Sequence, residues 1–183
     1  MSSTHIYYAA IVALVLIIVA YFGVKRWRGH TDRFSIATPA TPRVREAAGD
    51  LFAVLKNLGD LGRSFCAAAA DRPEFAASRV GVTHLLAGLD VVQKQLVDSP
   101  PTYVNYLAIY RGLAGSDREL LSASDAFIKA GFDTSQAIAL RNNGDYPTAG
   151  ETANAGNTLS TIGKQLRVVG SATHRLGVAL DVE

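Results

Sequence analysis

Cysteine is nearly absent: Cys66 stands alone among 183 residues, so no internal disulfide framework holds this fold. No Asn-x-Ser/Thr glycosylation sequon occurs either, and both absences suit a cytosolic face. The four histidines, His5, His30, His84 and His174, have no carboxylate or second histidine at metal-ligand spacing, and Gly-rich phosphate loops are missing. Runs of alternating β-branched residues are missing too, which argues against a sheet. An excess of one charge is also lacking, since the formal net charge is only +2. Four of the 18 Lys and Arg residues (Lys25, Arg26, Arg28 and Arg33) fall in one short stretch; with Asp32 also set aside, 14 cations face 15 anions in the rest. The basicity therefore belongs to a stem, where each cation gains about 1 kcal/mol beside anionic lipid, and nucleic acid is not an expected partner.

What the chain does have is an uncharged apolar run from Ile6 to Val24. About 19 residues at a 1.5 Å rise make nearly 30 Å of helix, the thickness of a bilayer's hydrocarbon core. Tyr7 and Tyr8 at one end, with Tyr21, Phe22 and Trp27 at the other, sit where aromatic belts meet the headgroups. No Lys or Arg stands in residues 1–5, whereas Lys25, Arg26 and Arg28 follow the run directly, so the positive-inside bias predicts a short non-cytosolic tail and a cytosolic C-terminal part. A cleaved secretory signal would carry its positive charge on the other side. Residues 25–42 then form a basic stem and Pro/Thr linker. Its Gly29–Thr41 portion lacks helical periodicity and would reach on the order of 40 Å if extended.

Residues 43–183 read as one all-α domain, an antiparallel bundle of about four to five helices with heptad faces, behind the single transmembrane helix. Thr41 and Pro42 mark a helix start, followed at spacings of four and three by Val44, Ala48, Leu51, Leu55, Leu58, Gly62 and Phe65. A capping box at Asp71-Arg72-Pro73-Glu74 predicts a second start, with Phe75, Ser78, Val82, Leu85, Leu89, Val92 and Leu96 on the same repeat up to Ser99-Pro100-Pro101. The repeat returns at Ala155, Leu159, Ile162, Leu166, Val169, Thr173, Leu176 and Leu180, in a helix opening near Pro147 with Asp145 as cap. Long helices are thus expected near 43–70, 72–97 and 147–181, packed side by side at about 20°. Shorter ones fill the gap: 100–114, then a helix capped by Ser116-Asp117-Arg118-Glu119 and ended by Gly131, then one from Asp133–Gln136 to about Arg141.

Gly156, Gly163, Gly170 and Gly177 recur every seven residues in the last helix. Each glycine costs about 1 kcal/mol relative to alanine inside a helix, so the stripe needs an offsetting contact. Gly81 and Gly88, also seven apart on the second long helix, offer a matching lane. Two readings follow: close packing of these two helices, or a docking groove for a partner's helix or loop. The charges at Lys164, Arg167 and Arg175 keep the last helix out of a bilayer.

No constellation carries chemistry. His84 and His174 fall off the apolar seams and read as solvated, Cys66 reads as a small buried hydrophobe, and Asp117, Glu119 and Asp125 read as capping and solvated carboxylates. Asn142-Asn143-Gly144-Asp145 has a calcium loop's composition without its ligand spacing. Gly144-Asp145-Tyr146-Pro147-Thr148-Ala149 resembles the turn of a tetratricopeptide repeat, but it spans six residues with no second copy and assigns no family. No catalytic, cofactor or metal site is therefore expected. The expected role is a single-pass membrane scaffold with lipid and other protein subunits as partners, and no small-molecule substrate. A minor capsid protein tying a virus's internal membrane to its shell fits this pattern, as does an accessory subunit of an organellar or bacterial membrane complex.

Overall fold

The computed structural model describes residues 38–141 and 146–182. The apolar run Ile6–Val24, with Tyr7, Tyr8, Lys25, Arg26, Trp27 and Arg28, lies outside them, as do residues 142–145. The described part is all-helical: α1 (Pro42–Ala68), a 3₁₀ turn (Pro73–Phe75), α2 (Ala76–Asp98), α3 (Tyr103–Ala114), α4 (Asp117–Arg141) and α5 (Tyr146–Ala179). Among the described residues there is no strand, only an isolated antiparallel bridge of Pro39 with Thr102.

α1 begins where its residues dictate. Thr41 Oγ1 accepts the Val44 amide at 3.3 Å, and Pro42 occupies the first turn, where its missing N–H costs nothing. Val44, Ala48, Leu51, Leu55, Leu58, Gly62 and Phe65 are all buried. At its far end the Phe65 ring meets Phe75 edge to face at 5.6 Å, which folds the chain back.

That contact also changes the start of the next helix. The expected capping box does not open α2: Pro73–Phe75 forms a 3₁₀ turn first, and Arg72 stands at its N-cap without a side-chain capping bond. Phe75 is drawn fully into the core, while the Arg72 guanidinium reaches across to Thr152 and Glu151 at the start of α5. The stretch Pro73–Asp98 is the one among the described residues long and apolar enough to cross a membrane by length and composition, a test that the core helix of a soluble protein also passes. Here Ser78, Gly81, Val82, Leu85, Gly88 and Leu89 are buried within the fold.

α3 starts at Tyr103 rather than at Pro100, because Thr102 Oγ1 caps it through the Asn105 amide at 3.3 Å. The next boundary departs further from expectation: α4 runs unbroken to Arg141, and Gly131 does not end it. No glycine among the described residues has a positive φ, so Gly131 keeps helical geometry and serves packing instead of termination. Ser116 likewise spends its hydroxyl on the Gly112 carbonyl of α3, at 3.0 Å, rather than on a capping box. α5 closes in a Schellman arrangement, with Asp181 at φ 53°, its amide on Val178 O and the Val182 amide on Gly177 O.

α5, 34 residues or roughly 51 Å long, is the axis of the fold and packs against α1, α3 and α4. Beside it, Tyr103 meets Leu180, Asp117 lies at Gly170, Ser124 at Gly163 and Gly131 at Gly156. α3 and α4 therefore follow one another along α5 in the reverse direction, separated at Gly115-Ser116. α2 packs chiefly on α1, also in reverse order, with Thr83 opposite Cys66, Leu86 over Gly62 and Gln93 near Gly59.

Candidate functional site

Two places bring sequence-marked or unforeseen residues together: the interface of α4 with α5, and the end of the helical domain where Thr38–Ala40 meets Pro101–Tyr103. At the first, an added Cβ on Gly163 would sit 2.6 Å from Ser124 O, 2.7 Å from Ile128 Cγ1 and 3.0 Å from Ile128 N. One on Gly131 would collide with Gly156 O and the Ser160 hydroxyl. These obstacles are mostly backbone, so glycine is what lets the two helices approach this closely. Gly156, Gly163 and Gly177 are buried, while Gly170 is half-buried, with Asp117 Oδ1 3.1 Å from its would-be Cβ.

At Gly156, Gly163 and Gly170 the stripe thus faces α4, not the helix that carries Gly81 and Gly88. Those two glycines are buried on α2, whose main neighbour is α1, so the expected pairing of the two lanes is corrected. A seven-residue period shows that a lane exists; it carries no record of which helix fills it. Polar groups rim the α4–α5 contact. Arg167 donates to Asp125 Oδ1 at 2.6 Å and to Ser124 Oγ at 3.2 Å, and Ser160 Oγ donates to Ile128 O at 3.3 Å.

At the other place the chain enters through a clasp that sequence reasoning missed. The Ala40 amide donates to Pro101 O at 2.9 Å and the Tyr103 amide to Thr38 O at 3.1 Å, flanking the Pro39–Thr102 bridge. Ala40 is buried, and the Tyr103 hydroxyl donates to Leu180 O at 2.7 Å. Thr38–Ala40, read from sequence as part of the linker, is therefore bound to the helical domain. The bonds span more than 60 residues of chain between main-chain groups, and no residue-type pattern signals them.

The remaining candidates are scattered. Cys66 is half-buried, its Sγ 3.9 Å from Thr83 Oγ1. The sequence predicts a solvated His84, yet the residue is half-buried and its Nδ1 is buried without a hydrogen-bond partner. His174 is exposed. Glu119 Oε2 is likewise buried and unpartnered, a position the capping-box reading did not anticipate. On the open face of α1, Arg63 and then Lys56 hydrogen-bond Asp60 and hold its carboxyl below the usual 3.8. Among the described residues no three His, Cys, Asp or Glu side chains gather as a metal site. Comparison of the chain with known protein families, curated proteins and solved structures finds no match.

Proposed function

We propose that this protein is a single-pass, membrane-anchored scaffold, with the span at Ile6–Val24 and the helical domain on the cytosolic side. The observation that carries the reading is the uncharged 6–24 run followed at once by Lys25, Arg26 and Arg28. The clasp supports it mechanically, since a stem bound at Thr38–Ala40 gives an anchor a direct attachment to the helical domain. In the same reading the domain is an antiparallel bundle joined along heptad seams, and the glycine stripe is intrachain packing. Its partners are the bilayer and other subunits of an assembly, without enzymatic turnover.

Protease added to sealed vesicles with their cytosolic face outward should digest the domain and leave a protected fragment of about 3 kDa, the span plus its short tail. A domain protected in full would overturn the orientation. Copurification separates the narrower possibilities: presence in intact virions supports a minor capsid protein, and presence in a respiratory or transport complex supports an accessory subunit. Recovery from the soluble fraction alone refutes the scaffold reading at its membrane end.

A further inference from the structure

Tyr103 joins two parts of the molecule that are otherwise far apart in sequence. Its backbone amide is held by Thr38 O of the incoming stem, and its hydroxyl holds Leu180 O at the end of α5. Both bonds meet at the first residue of α3. There, Thr38 O satisfies one of the amides that a helix N-terminus leaves unpaired, while Thr102 Oγ1 satisfies another. Beneath the strap, Ala40 is 3% exposed. Lifting the strap would thus free the Tyr103 amide and unseat Ala40 together, with Thr102 still capping α3, and would loosen the residue that hydrogen-bonds the C-terminal end of α5.

We propose that Thr38–Ala40 is a releasable clasp whose opening is coupled, through Tyr103, to release of the α5 C-terminal end. The chain geometry gives the device a purpose, which rests on the membrane-anchor reading above. With the clasp closed, the tether between apolar run and bundle is the 13 residues 25–37, at most about 43 Å. With it open, the tether is the 17 residues 25–41, at most about 56 Å. The bundle would then have two reaches from the membrane, and the longer one would come with a freed 176–182 segment for a neighbour to sense.

The hydrogen-bond pattern makes the clasp lockable. Bonds from Ala40 to Pro101 and from Tyr103 to Thr38 place Pro39 and Thr102 as a non-hydrogen-bonded antiparallel pair, whose Cα atoms are typically about 4.5 Å apart, within disulfide range. Full-length protein carrying Pro39→Cys and Thr102→Cys in a Cys66→Ala background is compared, oxidised and reduced, by amide hydrogen exchange in detergent. Comparing two redox forms of one variant cancels the loss of the Thr102 cap. Oxidation should slow exchange across 176–182 by about fivefold, the effect of retaining one net hydrogen bond. Adding Tyr103→Phe should abolish that difference. Conversely, Ala40→Glu should speed exchange at 176–182 while the middle of α1 is unchanged. Equal exchange at 176–182 in the two redox forms, with the Tyr103 amide slowed by oxidation, would overturn the coupling. Failure of the disulfide to form would overturn the clasp itself. None of these readouts needs a bilayer, so a failed topology experiment and a failed clasp remain distinguishable.

Discussion

The α4–α5 pair and the α1–α2 pair both bury glycines between antiparallel helices, but the glycines do different work. At Gly131 and Gly163 an added methyl meets main-chain atoms of the facing helix, which move only if the helix moves. At Gly62 it meets Leu86 Cδ2 at 2.9 Å, Leu86 Cγ at 3.2 Å and Val82 Cγ1 at 3.3 Å, all side-chain atoms, and Leu86 is only half-buried. The first interface is limited by backbone, the second by rotamers. A glycine in the first sets the distance between helices; in the second it makes room for a neighbouring side chain that has alternatives.

The largest effect should therefore fall on α4. Gly131→Ala is expected to destabilise the protein by about 2–3 kcal/mol, the overpacking cost exceeding the roughly 1 kcal/mol gained in helix propensity. Thermal or denaturant unfolding of the full chain in detergent measures this, and an unchanged midpoint would erase the distinction between the two interfaces. Gly62→Ala should cost no more than about 1 kcal/mol, because Leu86 can turn outward. A loss as large as that at Gly131 would mean that α1 and α2 are also locked by backbone. Gly170→Ala sharpens the comparison within α5 itself. Its one close neighbour is the carboxylate of exposed Asp117, so the variant should be neutral or more stable by about 0.5 kcal/mol.

Smaller still is the exposed ion cluster on α1. Asp60 has its carboxyl held low by Arg63 and Lys56, so its contribution is present above the ordinary value of 3.8 and fades as pH falls through the lowered one. Asp60→Asn should leave unfolding near pH 7 in physiological salt almost unchanged, since exposed pairs are well screened, and any difference should vanish in acid. A sizeable effect at neutral pH would show that the open face of α1 depends on charge more than its exposure implies.

The sequence made much of this legible, for local reasons. Apolar residues recurring at three and four mark Val44 to Phe65 and Ala155 to Leu180, and these positions are buried; a hydroxyl followed by proline marks the α1 start, and Thr41 does cap it. Errors arose where one residue type serves two physical ends. Gly131 has the composition of a helix stop and the function of a close contact, and only the position of Gly156 O on another helix tells the two apart. Asp71-Arg72-Pro73-Glu74 has the letters of a capping box, but Phe75 seeks Phe65 and Arg72 seeks Glu151, so tertiary contacts reshaped the turn. The glycine stripe was visible and its occupant was not. The clasp left no trace, being built from main-chain groups that every residue carries.

The most direct test sets one substitution in two places. Gly163 is walled by Ser124 O and by Ile128, whereas nothing stands within 4 Å of the position a Cβ would take on exposed Gly49. Unfolding free energies of Gly163→Ala and Gly49→Ala, measured side by side, should differ in sign. Gly49→Ala should stabilise by about 0.4–1 kcal/mol through reduced freedom of the unfolded chain, and Gly163→Ala should destabilise by about 1–3 kcal/mol through overpacking. Stabilisation by both would contradict the account, because the stripe on α5 would then face open space and the backbone contact with α4 would not exist.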